Sequence, residues 1–177
     1  MKQRPFVRIA RRIIQKREIM KHSNLMFGKD NFVMVKYYLE TNETIEDYRH
    51  HDTLKLLDYN MLRASVVETE VVPADVVQIY STIRVRSKSG WAKTFELVPP
   101  YEENNKNNRI SAISSLGAKI IGLSQGHTIQ HGLPGDIVSL TIEKVVQNKK
   151  RVKLDIPKET FEEILSNRKK NLLALTI

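Results

Sequence analysis

The sequence predicts an α+β fold, in which a short N-terminal helical hairpin precedes an antiparallel sheet domain with one short helix set into it. Three observations carry this expectation. Apolar residues recur at three- and four-residue spacing as far as Ala64, period-two alternation begins after Pro73, and Pro134-Gly135 makes a tight turn ahead of a β-branched run. The segments expected are a basic extension over 1–19, the hairpin over 20–70, the sheet domain over 71–147 and a basic tail with an amphipathic helix over 148–177.

In the extension, Phe6, Ile9 and Ile13 share one helical face, with Arg8, Arg11, Arg12 and Lys16 largely opposite. Such a stretch suits a membrane-surface or targeting helix, a nucleic-acid arm, or a solvated terminus ahead of a native start at Met20. Asp30 is placed to cap a short helix over 31–39, with Phe32, Val35 and Leu39 on one side. After the polar break at 40–44, a longer helix is expected over 44–66. Its seam is Leu54, Leu57, Met61 and Ala64, and toward the turn the same seam meets Asp47 and His50, giving a coiled-coil-like hairpin that is apolar at its base and polar at its tip.

Beyond Pro73 the alternating run 81–86, the turn 87–90 and the run 91–98 form a β-hairpin pattern stopped by Pro99-Pro100. The polar, asparagine-rich stretch 102–108 reads as a surface loop. Strands are expected at 109–113, 126–130 and 137–146, and a short helix at 116–121 ends at Gly122. Pro134-Gly135 suits the central positions of a type II turn, with glycine where φ is positive. After the basic run 149–151, Phe161, Ile164, Leu165 and Leu172 mark a terminal amphipathic helix that docks on its own protein or on a partner.

The net charge of +9 belongs to the ends. Residues 1–17 carry seven basic and no acidic side chains, 148–177 carry eight basic and four acidic, and the middle carries fourteen basic against sixteen acidic. Without a basic stripe on its core, the central fold is not expected to bind DNA; any nucleic-acid binding would be weak, non-specific and confined to the tails. The absence of cysteine excludes thiolate zinc sites, iron–sulfur clusters and cysteine nucleophiles, and fits a cytoplasmic location. No apolar run approaches the ~20 residues that cross a bilayer.

Catalytic signals are weak. There is neither a phosphate-cradling glycine loop nor a dinucleotide fingerprint. His127 and His131 are four apart, but in a stretch with strand and turn signals where that spacing places no metal, and His50, His51 and Asp52 read as a solvated helix face. Ser114-Ser115 lacks a base nearby and the nucleophile-elbow pattern. No cofactor, metal or catalytic residue is therefore expected. One acidic cluster stands out: Glu40, Glu43, Glu46 and Asp47 gather at the hairpin tip. Acids there complement a helix N-terminus, and carboxylates on a projecting tip can also hold a divalent cation in another protein's active site.

The order of a helical hairpin, Val-Val-Pro-Ala-Asp-Val-Val at 71–77, a strand pair, and then the phrase from Arg109-Ile110-Ser111 through Gly122 to Gly126-His127, with Pro134-Gly135 following, resembles the Gre/Rnk family. It resembles the C-terminal domain of bacterial Gre transcript-cleavage factors and, more closely, the Rnk-type regulators of nucleoside diphosphate kinase. The resemblance covers 20–147 and leaves both tails outside. Ser115 stands where the family has proline, and His127 where it often has aspartate. The resemblance implies an FKBP-like sheet domain and a non-enzymatic transcription regulator. It would bind RNA polymerase as a monomer at the secondary-channel entrance, through Ser114, Ser115, Leu116 and Gly117. Glu40 and Glu43 reproduce the spacing of the Gre acidic tip, but the expected arms, about 34 Å and 14 Å at 1.5 Å per residue, are short for the family. Strong stimulation of transcript cleavage is accordingly not expected. The rivals are an FKBP-like peptidyl-prolyl isomerase, whose aromatic pocket only Trp91 and Phe95 would begin to supply, and a basic-tailed nucleic-acid adaptor.

Overall fold

The computed structural model describes residues 25–42 and 48–175. The basic extension at 1–19, the question of a start at Met20, and Glu43, Glu46 and Asp47 of the acidic tip lie outside the described residues. The chain enters as β1 (Met26–Gly28) and turns into α1 (Lys29–Thr41). Asp30 lies in the first turn of α1 and does not cap it; Gly28 holds the N-cap position without a side-chain bond. The buried face of α1 is wide, comprising Asn31, Phe32, Val33, Met34, Val35 and Tyr38, because the helix is covered by more than one neighbour.

Helix α2 (Tyr48–Met61) buries Leu54, Leu57 and Met61, as the seam predicts. It stops one turn earlier than expected. Residues 62–64 turn, and Ser65–Val67 form β2, which pairs in parallel with β1, Met26 opposite Ser65. Ala64 is buried as the seam requires, but in the turn rather than on the helix. Over the described residues the two arms are therefore nearly equal, at 13 and 14 residues, each about 20 Å long.

The sheet domain contains β3 (Thr82–Ser87), β4 (Ala92–Val98), β5 (Arg109–Ser111), β6 (Thr128–Leu133) and β7 (Asp136–Val146), in the order β5-β4-β3-β7-β6. The β3–β4, β3–β7 and β6–β7 pairs are antiparallel, whereas β4–β5 is parallel, so the sheet is mixed. Pro99-Pro100 takes the chain off the sheet, and two single 3-10 turns carry it back before β5 begins. Gly135, at φ +87°, occupies the second central position of the β6–β7 turn as expected. Helix α3 (Gly117–Ile120) is the short helix set against the sheet.

The tail folds back as α4 (Lys158–Leu175). It docks on its own chain: Ile164 is buried, Phe161 and Leu165 pack against the core, and Arg168 Nη2 donates to Ala64 O at 2.6 Å. The guanidinium of Arg168 also lies 5.8 Å from the centroid of the Phe32 ring. One apolar cluster runs through the described chain, from Phe27, Phe32 and Met61 to Leu97, Ile120 and Ile142. Among the described residues no helix is long and apolar enough to cross a membrane.

Candidate functional site

The loop from β5 to α3 is specified by its own polar groups. Ser114 Oγ donates to Ser111 O at 2.7 Å and accepts the Gly117 N–H at 3.0 Å; Ser111 Oγ accepts the Ile113 N–H at 3.2 Å. The backbone closes the same turn, with Ser114 N donating to Ser111 O and Ala118 N to Ser114 O. Gly117 is required by space. A β-carbon there would lie 2.1 Å from Ser111 O, a contact with backbone that no rotamer relieves. Of the four residues implicated by resemblance, Ser114 and Gly117 thus build the loop, while Ser115 and Leu116 remain partly exposed on it.

His50 departs from the solvated face expected of it. His51 and Asp52 are exposed, but the His50 Nε2–H donates to Ile113 O at 2.6 Å and ties the first turn of α2 to the loop. The period of α2 alone could not reveal this, since the partner is 63 residues away. Ile113 also helps to line a cleft of about 270 Å³ formed with Tyr37, Tyr38 and Tyr101, a cluster whose signal was the Tyr37-Tyr38 doublet and the tyrosine after Pro99-Pro100. Burial pushes the Tyr38 and Tyr80 hydroxyls well above the ordinary tyrosine range. Tyr80, at φ +70°, donates its hydroxyl to Glu102 at 2.6 Å, and Lys150 Nζ lies 4.3 Å from the centroid of its ring.

Of the acidic tip, Glu40 is described and lies exposed in the last turn of α1. No group of three or more metal-binding side chains occurs among the described residues. His127 Nδ1 meets Ser124 O at 2.9 Å, and His131 is partly buried on β6 with its pKa pushed down by burial and by Lys119. The aromatic pair also separates: Phe95 is in the core, whereas Trp91 is half exposed just ahead of β4. In the tail, Lys150 pairs with Glu102 at 3.5 Å and Arg151 pairs with Glu70.

Residues 72–147 match the family described as transcription elongation factor, GreA/GreB, C-terminal. Among curated proteins, the chain is 27% identical over 99 residues to a transcription elongation factor GreA of Syntrophus aciditrophicus, covering 55% of this chain and 62% of that protein. It is 31% identical over 84 residues to the regulator of nucleoside diphosphate kinase of Escherichia coli K12, covering 47% and 62%. The chain thus spans less than two thirds of the length of these relatives. Among solved structures, a GreA/GreB elongation factor from Nitrosomonas europaea superposes with a TM-score of 0.58 at 26% identity, covering 70% of this chain and 98% of that one.

Proposed function

We propose, from the match of residues 72–147 to the GreA/GreB C-terminal family, that this protein is a non-enzymatic, Gre-type regulator of transcription that docks on RNA polymerase at the secondary-channel entrance. The reading places it in the cytoplasm, acting as a monomer through Ser115 and Leu116, on a sheet domain of FKBP-like layout without isomerase activity. The observation that carries it is the loop 111–117, part of the matched segment and held rigid by Ser111, Ser114 and the close approach at Gly117. A surface fixed in this way before binding loses little further conformational freedom on docking.

The second part of the proposal is that cleavage is not strongly stimulated. Helical arms of about 20 Å, short for the family, with Glu40 in the last turn of the first, support this part of the reading. Purified core polymerase should retain the protein at micromolar concentration, and Leu116→Glu should weaken retention at least ~10-fold by burying a charge in the contact. Absence of association would overturn the reading. Backtracked complexes should release no short 3′ RNA above the intrinsic rate; release that disappeared in the Glu40→Ala, Glu43→Ala double variant would instead make the acidic tip functional.

A further inference from the structure

Resting on that docking reading, we propose that the tyrosine cleft beside the loop is a socket for one arginine side chain of the polymerase surface. The cleft measures about 270 Å³ and lies between the end of α1, the turn after Pro99, the docking loop and the segment leading into α4. Its walls are Tyr37, Tyr38, Pro100, Tyr101 and Ile113, and Asp155 closes one side.

Four features select a guanidinium. First, the Tyr37 and Tyr38 rings meet edge to face, with centroids 6.4 Å apart and planes at 61°, so the aromatic corner turns π surface in two directions. A cation over such a surface is attracted by the ring quadrupoles, and a planar guanidinium can stack on it as well. Second, the corner has a polar edge: the buried Tyr38 hydroxyl lies beside that of Tyr101, whose side chain is exposed and whose oxygen can accept one of the five N–H donors of a guanidinium.

Third, the lining carries a carboxylate and no lysine or arginine. Asp155 is exposed and has no ion pair among the described residues; the Tyr101 hydroxyl is pushed up by burial first and then by the charges of Glu102 and Asp155. Of the basic groups of the tail, Lys150 pairs with Glu102, Arg151 with Glu70 and Arg168 with Ala64 O, while Lys153 and Lys158, which flank Asp155 in sequence, are exposed and do not line the cleft. Fourth, the chain uses the same chemistry next door, where Lys150 lies over the Tyr80 ring beside Glu102. Ile113 joins the cleft to the docking loop, so a protein seated on Ser115 and Leu116 has the cleft at its edge.

The test uses the full chain. Ethylguanidinium, titrated at constant ionic strength, should shift the tyrosine ring resonances saturably, the neutral isostere ethylurea should not, and Asp155→Asn should weaken the effect several-fold. Against core polymerase, Tyr101→Ala and Asp155→Asn, both at exposed side chains, should each lower affinity about tenfold. Equal shifts from the two probes would overturn the socket. So would parental polymerase binding by both variants alongside loss in Leu116→Glu, an outcome that leaves the docking reading standing. A parent chain that fails to bind polymerase while still discriminating the two probes would remove the docking reading, and with it the partner assigned to the cleft.

Discussion

Two hairpins leave the same sheet domain and are held in opposite ways. The helical hairpin α1–α2 is gripped at its base by buried polar groups: Gln78 Oε1 accepts the Gly28 N–H, its Nε2 donates to Met26 O and Val77 O, and Asn31 Oδ1 accepts the Ile79 N–H at 2.7 Å. The outer part of the β6–β7 hairpin, beyond the residues of β7 that pair with β3 and bury Leu140 and Ile142, is held by its ladder and by surface contacts, Gln130 with Ser139 and Lys119 Nζ with Gln130 O, and it leaves Leu133, Ile137 and Val138 exposed. Buried hydrogen bonds are directional and costly to leave unmade, so they fix an angle as apolar contact does not. The difference implies that the orientation of the helical arm is specified, while the β arm tolerates change.

The largest break should come where the loop 111–117 meets the helical side. Gly117→Ala drives a β-carbon into Ser111 O and should cost ~3 kcal/mol or more, read as a lowered denaturant midpoint; an unchanged midpoint would contradict the packing described. Gln78→Leu leaves buried groups on β1 unpaired and should cost about 2–3 kcal/mol, with faster amide exchange at Gly28. Arg168→Ala removes the bond to Ala64 O and the contact with Phe32, for about 1–2 kcal/mol.

A smaller effect titrates. The folded-state pKa of His131 is depressed, so the unfolded chain binds the proton more readily. Its contribution to stability is present above the ordinary value of 6.5 and is lost as pH falls through that value toward the lower folded one. His131→Gln should flatten the stability profile on that acid side, and a profile of unchanged slope would show that other groups set it. Smallest of all, Ile137→Thr on the β arm should stay within about 0.5 kcal/mol of the parent. A larger loss would mean that this arm is held as tightly as the helical one.

What could be read from the chain follows the range of the contacts. The β3–β4 hairpin and the turn at Pro134-Gly135 were legible because alternation and turn chemistry are local. The end of α2 was not: Leu57, Met61 and Ala64 continue a helical spacing through a turn, and β2 is held by β1, whose residues are about 40 positions away. The parallel placement of β5 depends likewise on the path of the loop after Pro99, which composition does not encode. Ser114 and Gly117 were found by resemblance, and their bonds within the loop explain why such residues stand there. The tyrosine cleft joins side chains from α1, the turn after Pro99 and the tail, and no single window of sequence contains it.

The return of α4 also has a mechanical side. Leu25 O accepts the Ser65 N–H and Arg168 donates to Ala64 O, so the first and last segments of the described chain grip consecutive residues. Tension applied between the two ends would converge on that single step. It would peel α4 and β1 away from the turn after α2 before loading the ladders between β3, β4 and β7, so that under force the helical arm comes loose while the sheet that carries the loop 111–117 stays closed.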